Sequence, residues 1–272
     1  MTPWHYRWLC RFSYIDLPED LAKERGVTLG RIAGELMARD ERGGLPCGRL
    51  QEEEREALRM IRETGALSGL YLAEYINRNR GSGLAAYLFR AADGGMHVVF
   101  RGSESPGCGV PTGIDWVDNI LAPFAGSVQY EEIRALAGRF PEERVVYSGH
   151  SKGAHNALYA LAMTPNRRAA AVAFNGQGFA PGQLSRAQKD RLRAQGVNYV
   201  TRGDVVGVLL WHPERRVFVR KQGDGNAHAL ESFAFDGKGE PVPAMRTLWS
   251  AALEWGVKRY VLGAERVLTG AN

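Results

Sequence analysis

Val145-Val146-Tyr147-Ser148-Gly149-His150-Ser151-Lys152-Gly153-Ala154-His155-Asn156-Ala157-Leu158-Tyr159-Ala160-Leu161-Ala162 decides the fold. An apolar run breaks into Gly-x-Ser-x-Gly, and a run of helix formers follows at once. When a strand must turn sharply into a helix, the serine is held in a strained backbone conformation, and only small neighbours leave room for the turn. The hydroxyl then projects from the end of the sheet, and the backbone N–H of the next residue, Lys152, points to the same spot. A chain with 33 glycines meets the five-residue pattern by chance; the strand before it and the helix after it give the match its meaning. The stretch predicts a nucleophile elbow centred on Ser151.

Outward from the elbow, strand and helix signals alternate. Glu131 to Phe140 predicts a helix, Arg144 to Ser148 a strand, Lys152 to Met163 a helix, Ala169 to Phe174 a strand, Ser185 to Gln195 a helix and Val197 to Thr201 a strand. Such alternation builds a mostly parallel central sheet flanked by helices, an α/β fold. Upstream, Leu84 to Phe89 and Met96 to Phe100 flank Asp93-Gly94-Gly95 and read as a β-hairpin. Downstream, Val205 to Trp211, Arg216 to Lys221 and Glu231 to Phe235 read as short extended pieces, and Pro243 to Val267 as a long closing helix. The first eighty residues read as helical: Leu21, Leu29, Ile32 and Leu36 at helical spacing, then Gln51 to Thr64, then a segment near Leu70 to Ile76. Gly81-Ser82-Gly83 ends this layer. No repeat or low-complexity linker divides the chain, so residues 1–272 are expected to form one domain, with 1–80 a helical layer or lid and 84–272 the core.

Composition narrows the function classes. Hydrophobic content of 44% and charged content of 24% describe a globular protein with a sizeable core. No run of eighteen apolar residues predicts a membrane-spanning helix. Met1 to Trp8 lacks the apolar stretch of a secretory signal, which makes the cytoplasm the expected compartment and a signal-independent export route the alternative. The +5 charge comes from 35 basic and 30 acidic residues that are dispersed, with no basic groove interleaved with aromatics. Nucleic acid is therefore set aside as a partner, and a transient contact with a membrane surface stays open. Cys10, Cys47 and Cys108 follow neither a disulfide nor a metal-binding pattern, and no metal or cofactor is expected.

A serine hydroxyl needs a base and a group that orients the base. His150 and His155 flank Ser151 too closely to fold back on it, and His150, at the x position of the elbow, is expected to point away. His5 and His97 precede the serine, against the Ser…Asp…His order of this architecture. His212 and His228 remain. His212 stands at a strand end before Pro213 and reads as structural; His228 follows the loop Gly223-Asp224-Gly225-Asn226 and can reach a serine from another strand. Asp204 closes the strand ending in Val200-Thr201, the place where such a sheet presents functional groups, and Asp224 is the alternative acid. The oxyanion of acyl transfer needs two fixed donors. Lys152 N–H supplies one, and Ser103, after the strand Val98-Val99-Phe100 and Arg101-Gly102, supplies the other.

Taken together, Phe100-Arg101-Gly102-Ser103, Ile114-Asp115-Trp116-Val117-Asp118-Asn119, Gly149-His150-Ser151-Lys152-Gly153 and Phe174-Asn175-Gly176-Gln177-Gly178-Phe179 resemble the lipase-like α/β-hydrolases related to class 3 (fungal-type) lipases, in particular a bacterial branch with Gly-His-Ser-Lys-Gly at the elbow. The likeness runs from Phe12-Ser13-Tyr14-Ile15-Asp16 to the His228 region. It implies a Ser151, Asp204, His228 triad, an oxyanion donor at Ser103, where relatives often carry threonine, and an acyl ester, in particular a lipid, as substrate. Ala154 stands where the pattern has a second glycine, and Gln177 where it has proline. Three functions compete: a serine ester hydrolase, an exported phospholipase toxin, and a catalytically silent hydrolase fold used for binding.

Overall fold

The computed structural model describes residues 1–24, 26–78, 81–103 and 129–269. Seven strands, β1 (Tyr71–Asn77), β2 (Ala85–Arg90), β3 (Met96–Phe100), β4 (Val145–His150), β5 (Ala170–Phe174), β6 (Gly196–Thr201) and β7 (Arg215–Val219), lie side by side in chain order. β1, β2 and β3 pair antiparallel as a meander, and β3 through β7 pair parallel. Parallel neighbours need crossovers, and the helical runs supply them: α6 (Tyr130–Ala137) leads into β4, α7 (Lys152–Met163) joins β4 to β5, and α8 (Arg186–Gln195) joins β5 to β6. Every residue of β3 is buried, as expected of a strand covered on both faces.

Alternation along the strands divides the core in two. On one face Val98, Phe100 and Tyr147 pack with Ile133 of α6, Leu158 and Leu161 of α7 and Leu192 of α8. On the other, Tyr87, Phe89, Val99 and Phe174 pack with the N-terminal helices α1 (Pro3–Phe12), α2 (Glu19–Lys23), α3 (Leu29–Arg42), α4 (Glu52–Glu63) and α5 (Gly65–Ser68). Phe12 of α1 sits edge-on to Tyr87 and Phe89, with ring centroids 5.2 and 5.9 Å away.

The structure departs from the sequence reading in four places. Residues near Leu70 to Ile76 form β1, not a third helix: a short half-buried piece reads either way by periodicity, and pairing with β2 decides it. Val205 to Trp211 is not extended throughout but turns through a 3₁₀ segment, Val206–Val208, with Leu210 at φ 68°. Glu231 to Phe235 likewise opens in a 3₁₀ turn, Leu230–Ser232. The closing helix α9 spans Leu248–Thr269 and starts later than Pro243, because Pro243 still bridges Val219 and Ala244 N–H donates to Phe218 O at 2.8 Å. Among the described residues, no helix is long and apolar enough to cross a membrane.

Candidate active site

Ser151 stands between β4 and α7 with φ 58° and ψ −124°, outside the conformations that a non-glycine residue adopts freely. Its N–H donates to Phe174 O at 3.0 Å, and its carbonyl accepts from the N–H groups of Ala154 and His155 at 3.0 and 3.2 Å, so the neighbouring strand and the new helix clamp the strained turn. Small neighbours are obligatory. A Cβ on Gly149 would fall 2.2 Å from Gly153 O, and one on Gly153 would fall 2.3 Å from Phe100 O. Lys152 is the first residue of α7 and is buried, which puts its N–H at the positive end of the helix dipole.

Opposite the serine lies His228. Ser151 Oγ–H donates to His228 Nε2 at 2.9 Å, and His228 Nδ1–H donates to Asp204 Oδ1 at 2.8 Å. Asp204 is buried at the end of β6, and its other oxygen accepts from Gly207 N–H at 2.6 Å. That bond explains the 3₁₀ turn after Asp204: the turn aims an N–H at the carboxylate, and a Cβ at Gly207 would sit 2.8 Å from it. The sequence alternatives fall elsewhere. Asp224 is exposed in its turn. His212 is occupied by Glu214 Oε1 at 2.7 Å and Leu209 O at 2.9 Å. His5 caps α1, His97 lies under α1, and His155 pairs with the Tyr130 hydroxyl at 2.7 Å.

His150 has more to do than its position in the elbow suggests. Its ring turns from the serine to pack on His228, centroids 4.9 Å apart. His150 Nε2–H donates to His228 O at 2.7 Å, which leaves Nδ1 to accept from the Tyr14 hydroxyl at 2.8 Å. Burial, and then the neighbouring His228, hold the His150 imidazole well below the usual histidine range, so it stays neutral. Asn175, in left-handed backbone at φ 51°, adds a second tie: its Nδ2 donates to Ala227 O and His228 O, both at 3.1 Å, while its Oδ1 accepts from Thr201 N–H at 2.9 Å. Tyr14 and Asn175 stand in the sequence motifs without a role; only the folded chain brings Asn175 to the carbonyls of the histidine loop and Tyr14 to His150, which holds one of them.

The exit of β3 presses against the same point. A Cβ at Gly102 would meet the Tyr14 hydroxyl at 2.2 Å and His150 O at 2.7 Å. Arg101, buried, pairs with Asp16 at 2.7 Å and donates to the carbonyls of Ser13 and Ile15. Burial raises the Asp16 carboxyl, but Arg101 and the Tyr75 hydroxyl outweigh it and hold it below the usual range. Ser103 follows on this exit, half-buried. Ile114 to Asn119, and Cys108, lie outside the described residues. Among the described residues, no cluster of three or more His, Cys, Asp or Glu is placed to hold a metal ion.

Comparison with known proteins bears on the family and the fold. A model of the Mbeg1-like family matches residues 65–238, more than half of the chain. No curated protein sequence matches. Among solved structures, a variant of MDLA from Penicillium cyclopium is similar at TM-score 0.50 and 12% identity, over 93% of both chains. The mono- and diacylglycerol lipase of Aspergillus oryzae follows at 0.49 and 14%, over 92% of this chain and 93% of that one. Lip2 lipase of Yarrowia lipolytica is at 0.48 and 12%, over 85% and 81%. At such identities the first of these speaks for the fold alone, an α/β-hydrolase fold.

Proposed function

Because the chain belongs to the Mbeg1-like family and has an α/β-hydrolase fold, we propose that it is a serine ester hydrolase of the lipase type, acting on acyl esters with lipid esters as its substrate class. One observation supports this reading above the rest: the hydrogen-bonded run Ser151, His228, Asp204 on a positive-φ elbow. Ser151 Oγ attacks the ester carbonyl carbon while its proton passes to His228 Nε2. The tetrahedral oxyanion is met by the N–H groups of Lys152 and Ser103. As it collapses, the bond to the alcohol oxygen breaks and the alcohol leaves with the proton from His228. Water then gives a proton to His228 and attacks the acyl-serine, the carboxylic acid departs, and Ser151 recovers its proton. Asp204 accepts from His228 Nδ1–H and so holds the imidazole in the tautomer that accepts from serine.

A fluorophosphonate probe tests the assignment, since it reacts only with an activated serine. The wild type is expected to label, Ser151→Ala not to label, and Ser151→Ala to lose about a thousandfold or more in kcat on a p-nitrophenyl ester. An unlabelled wild type, or equal labelling of Ser151→Ala, overturns it. Esters of rising chain length, with and without micelles, separate a lipid substrate from a short soluble one.

A further inference from the structure

Among the described side chains of helix α9, Leu248 to Val257 and Arg259, the buried ones are polar and the most exposed ones are apolar. A surface helix normally buries an apolar stripe and exposes a polar one. Here the buried residues are Ser250 and Glu254, with Ala251, Leu253 and Val257 half-buried, while Leu248 is 92% exposed, Trp249 58% and Trp255 63%, with Ala252 also exposed between them. Met245, just ahead of the helix, is 85% exposed. The spacing of three and four residues puts the helical members on one face.

The cause lies beneath. Glu254 pairs with Arg216 of β7 at 3.1 Å and with Arg246, whose guanidinium also donates to Ser250 O at 3.0 Å. Both arginines lie over the Phe218 ring, 5.8 and 5.7 Å from its centroid. The helix is therefore fastened by its polar side. Glu254 is the sole acidic residue between Met245 and Arg259, so this fastening leaves the outer face without a carboxylate over that stretch. At its far end Arg259 stands 4.9 Å over the exposed Trp255 ring.

Exposed tryptophans beside leucine and methionine, edged by a cation and free of acids, on a chain of net charge +5, match an anionic lipid surface. Indole rings settle at such a boundary because their bodies are apolar and their N–H is polar. A second copy fits less well: a two-fold pairing sets like faces together and gives Arg259 no carboxylate across the interface. The helix that bears this face is also tied to the candidate site. α9 packs on the Val206–Val208 turn, two residues past Asp204, where Val205 is itself exposed.

We propose that Met245, Leu248, Trp249 and Trp255 form a docking face that seats the protein on anionic bilayer surfaces beside its active centre; the purpose rests on the lipid-ester reading, the binding does not. Co-sedimentation of the full chain with vesicles of phosphatidylcholine containing about one-third phosphatidylglycerol tests it. The wild type is expected to bind these about tenfold or more tightly than pure phosphatidylcholine vesicles, with the gain lost at high salt. Brominated lipid is expected to quench its tryptophan emission. The combined variant Leu248→Ser, Trp249→Ser, Trp255→Ser is expected to lose about tenfold or more of the binding, with its circular dichroism and its turnover of a short soluble ester unchanged. Ser151→Ala is expected to bind as the wild type does, so a failed hydrolase assignment and a failed docking face give different results. A wild type that neither sediments with anionic vesicles nor is quenched overturns the proposal, as does equal binding by the variant. A wild-type dimer that the same substitutions turn into monomer also overturns it, and assigns the face to a second copy.

Discussion

At the scale of single residues, the run Ser151, His228, Asp204 is held in place by side chains outside it. The histidine loop hangs from its own carbonyls: His228 O accepts from His150 Nε2 and Asn175 Nδ2, and Tyr14 fixes which His150 nitrogen carries the proton. Without the Tyr14 hydroxyl, the buried Nδ1 loses its donor and either His150 tautomer becomes accessible; the one protonated at Nδ1 offers His228 O no hydrogen. Tyr14→Phe is therefore expected to lower kcat on a soluble ester about three- to tenfold with KM nearly unchanged, and to cost about 1–3 kcal/mol of stability through the unsatisfied nitrogen. Steady-state kinetics with a melting curve checks this. A fall in stability with kcat intact would make Tyr14 structural only. Restoration of kcat when His150→Gln, whose amide can donate to the same carbonyl, is added to Tyr14→Phe would place the effect in that one hydrogen bond.

At the scale of elements, what was legible was what local chemistry dictates. β3 and α7 have the bounds that their residues announce, Met96–Phe100 and Lys152–Met163, because one is an unbroken apolar run and the other begins where the elbow ends. That Ser151, Asp204 and His228 would meet in space was legible too, since Asp204 follows a strand and His228 a glycine-rich loop. β1 was not, because strand pairing, a non-local interaction, settles an ambiguous short segment. Nor was the bearing of His150, Tyr14 and Asn175 on one loop, since it depends on contacts as far as 136 residues apart in the chain. Glycine at the elbow sits on the legible side, and its reason can be measured. A methyl group at Gly153 would press on Phe100 O and on the carbonyl of Arg101, both backbone atoms that cannot swing aside. Gly153→Ala is expected to cost about 1–3 kcal/mol, lowering Tm by about 3–10 °C, and to reduce fluorophosphonate labelling as α7 shifts against β3. Gly225→Ala, where a Cβ meets nothing within 4 Å, is the matched control and should change neither. Equal melting of the two variants would mean that the elbow yields more easily than its contacts imply.

At the scale of the whole molecule, the N-terminal layer and the sheet are joined at points that also serve the site. Arg101 and Asp16 pair across the join, Tyr14 reaches His150, and the Tyr6 hydroxyl of α1 shares a hydrogen bond with His97 Nδ1 of β3 at 3.2 Å. His97 makes the join sensitive to acid. Burial first, then the N-terminal ammonium and Arg144, against a weaker pull from Asp93, bring its imidazole down from 6.5 to about 4. Between those values the unfolded chain takes up a proton that the native state refuses. Stability is thus complete above about pH 6.5 and falls as pH drops towards 4, by up to roughly 3 kcal/mol from this group alone. His150, lowered in the same direction, adds to the slope. Thermal melts at pH 7, 6, 5 and 4.5 should show Tm falling steadily, and His97→Gln, which cannot take the proton, should flatten the curve over that window. Turnover of a soluble ester should be lost irreversibly with the near-ultraviolet signal of the packed aromatics, because α1 cannot loosen without releasing Tyr14 and the Asp16 pair. If residues 1–24 acted as a removable cover, activity would survive or rise as that signal faded, and the site would not lean on the layer as Tyr14, Arg101 and His97 imply.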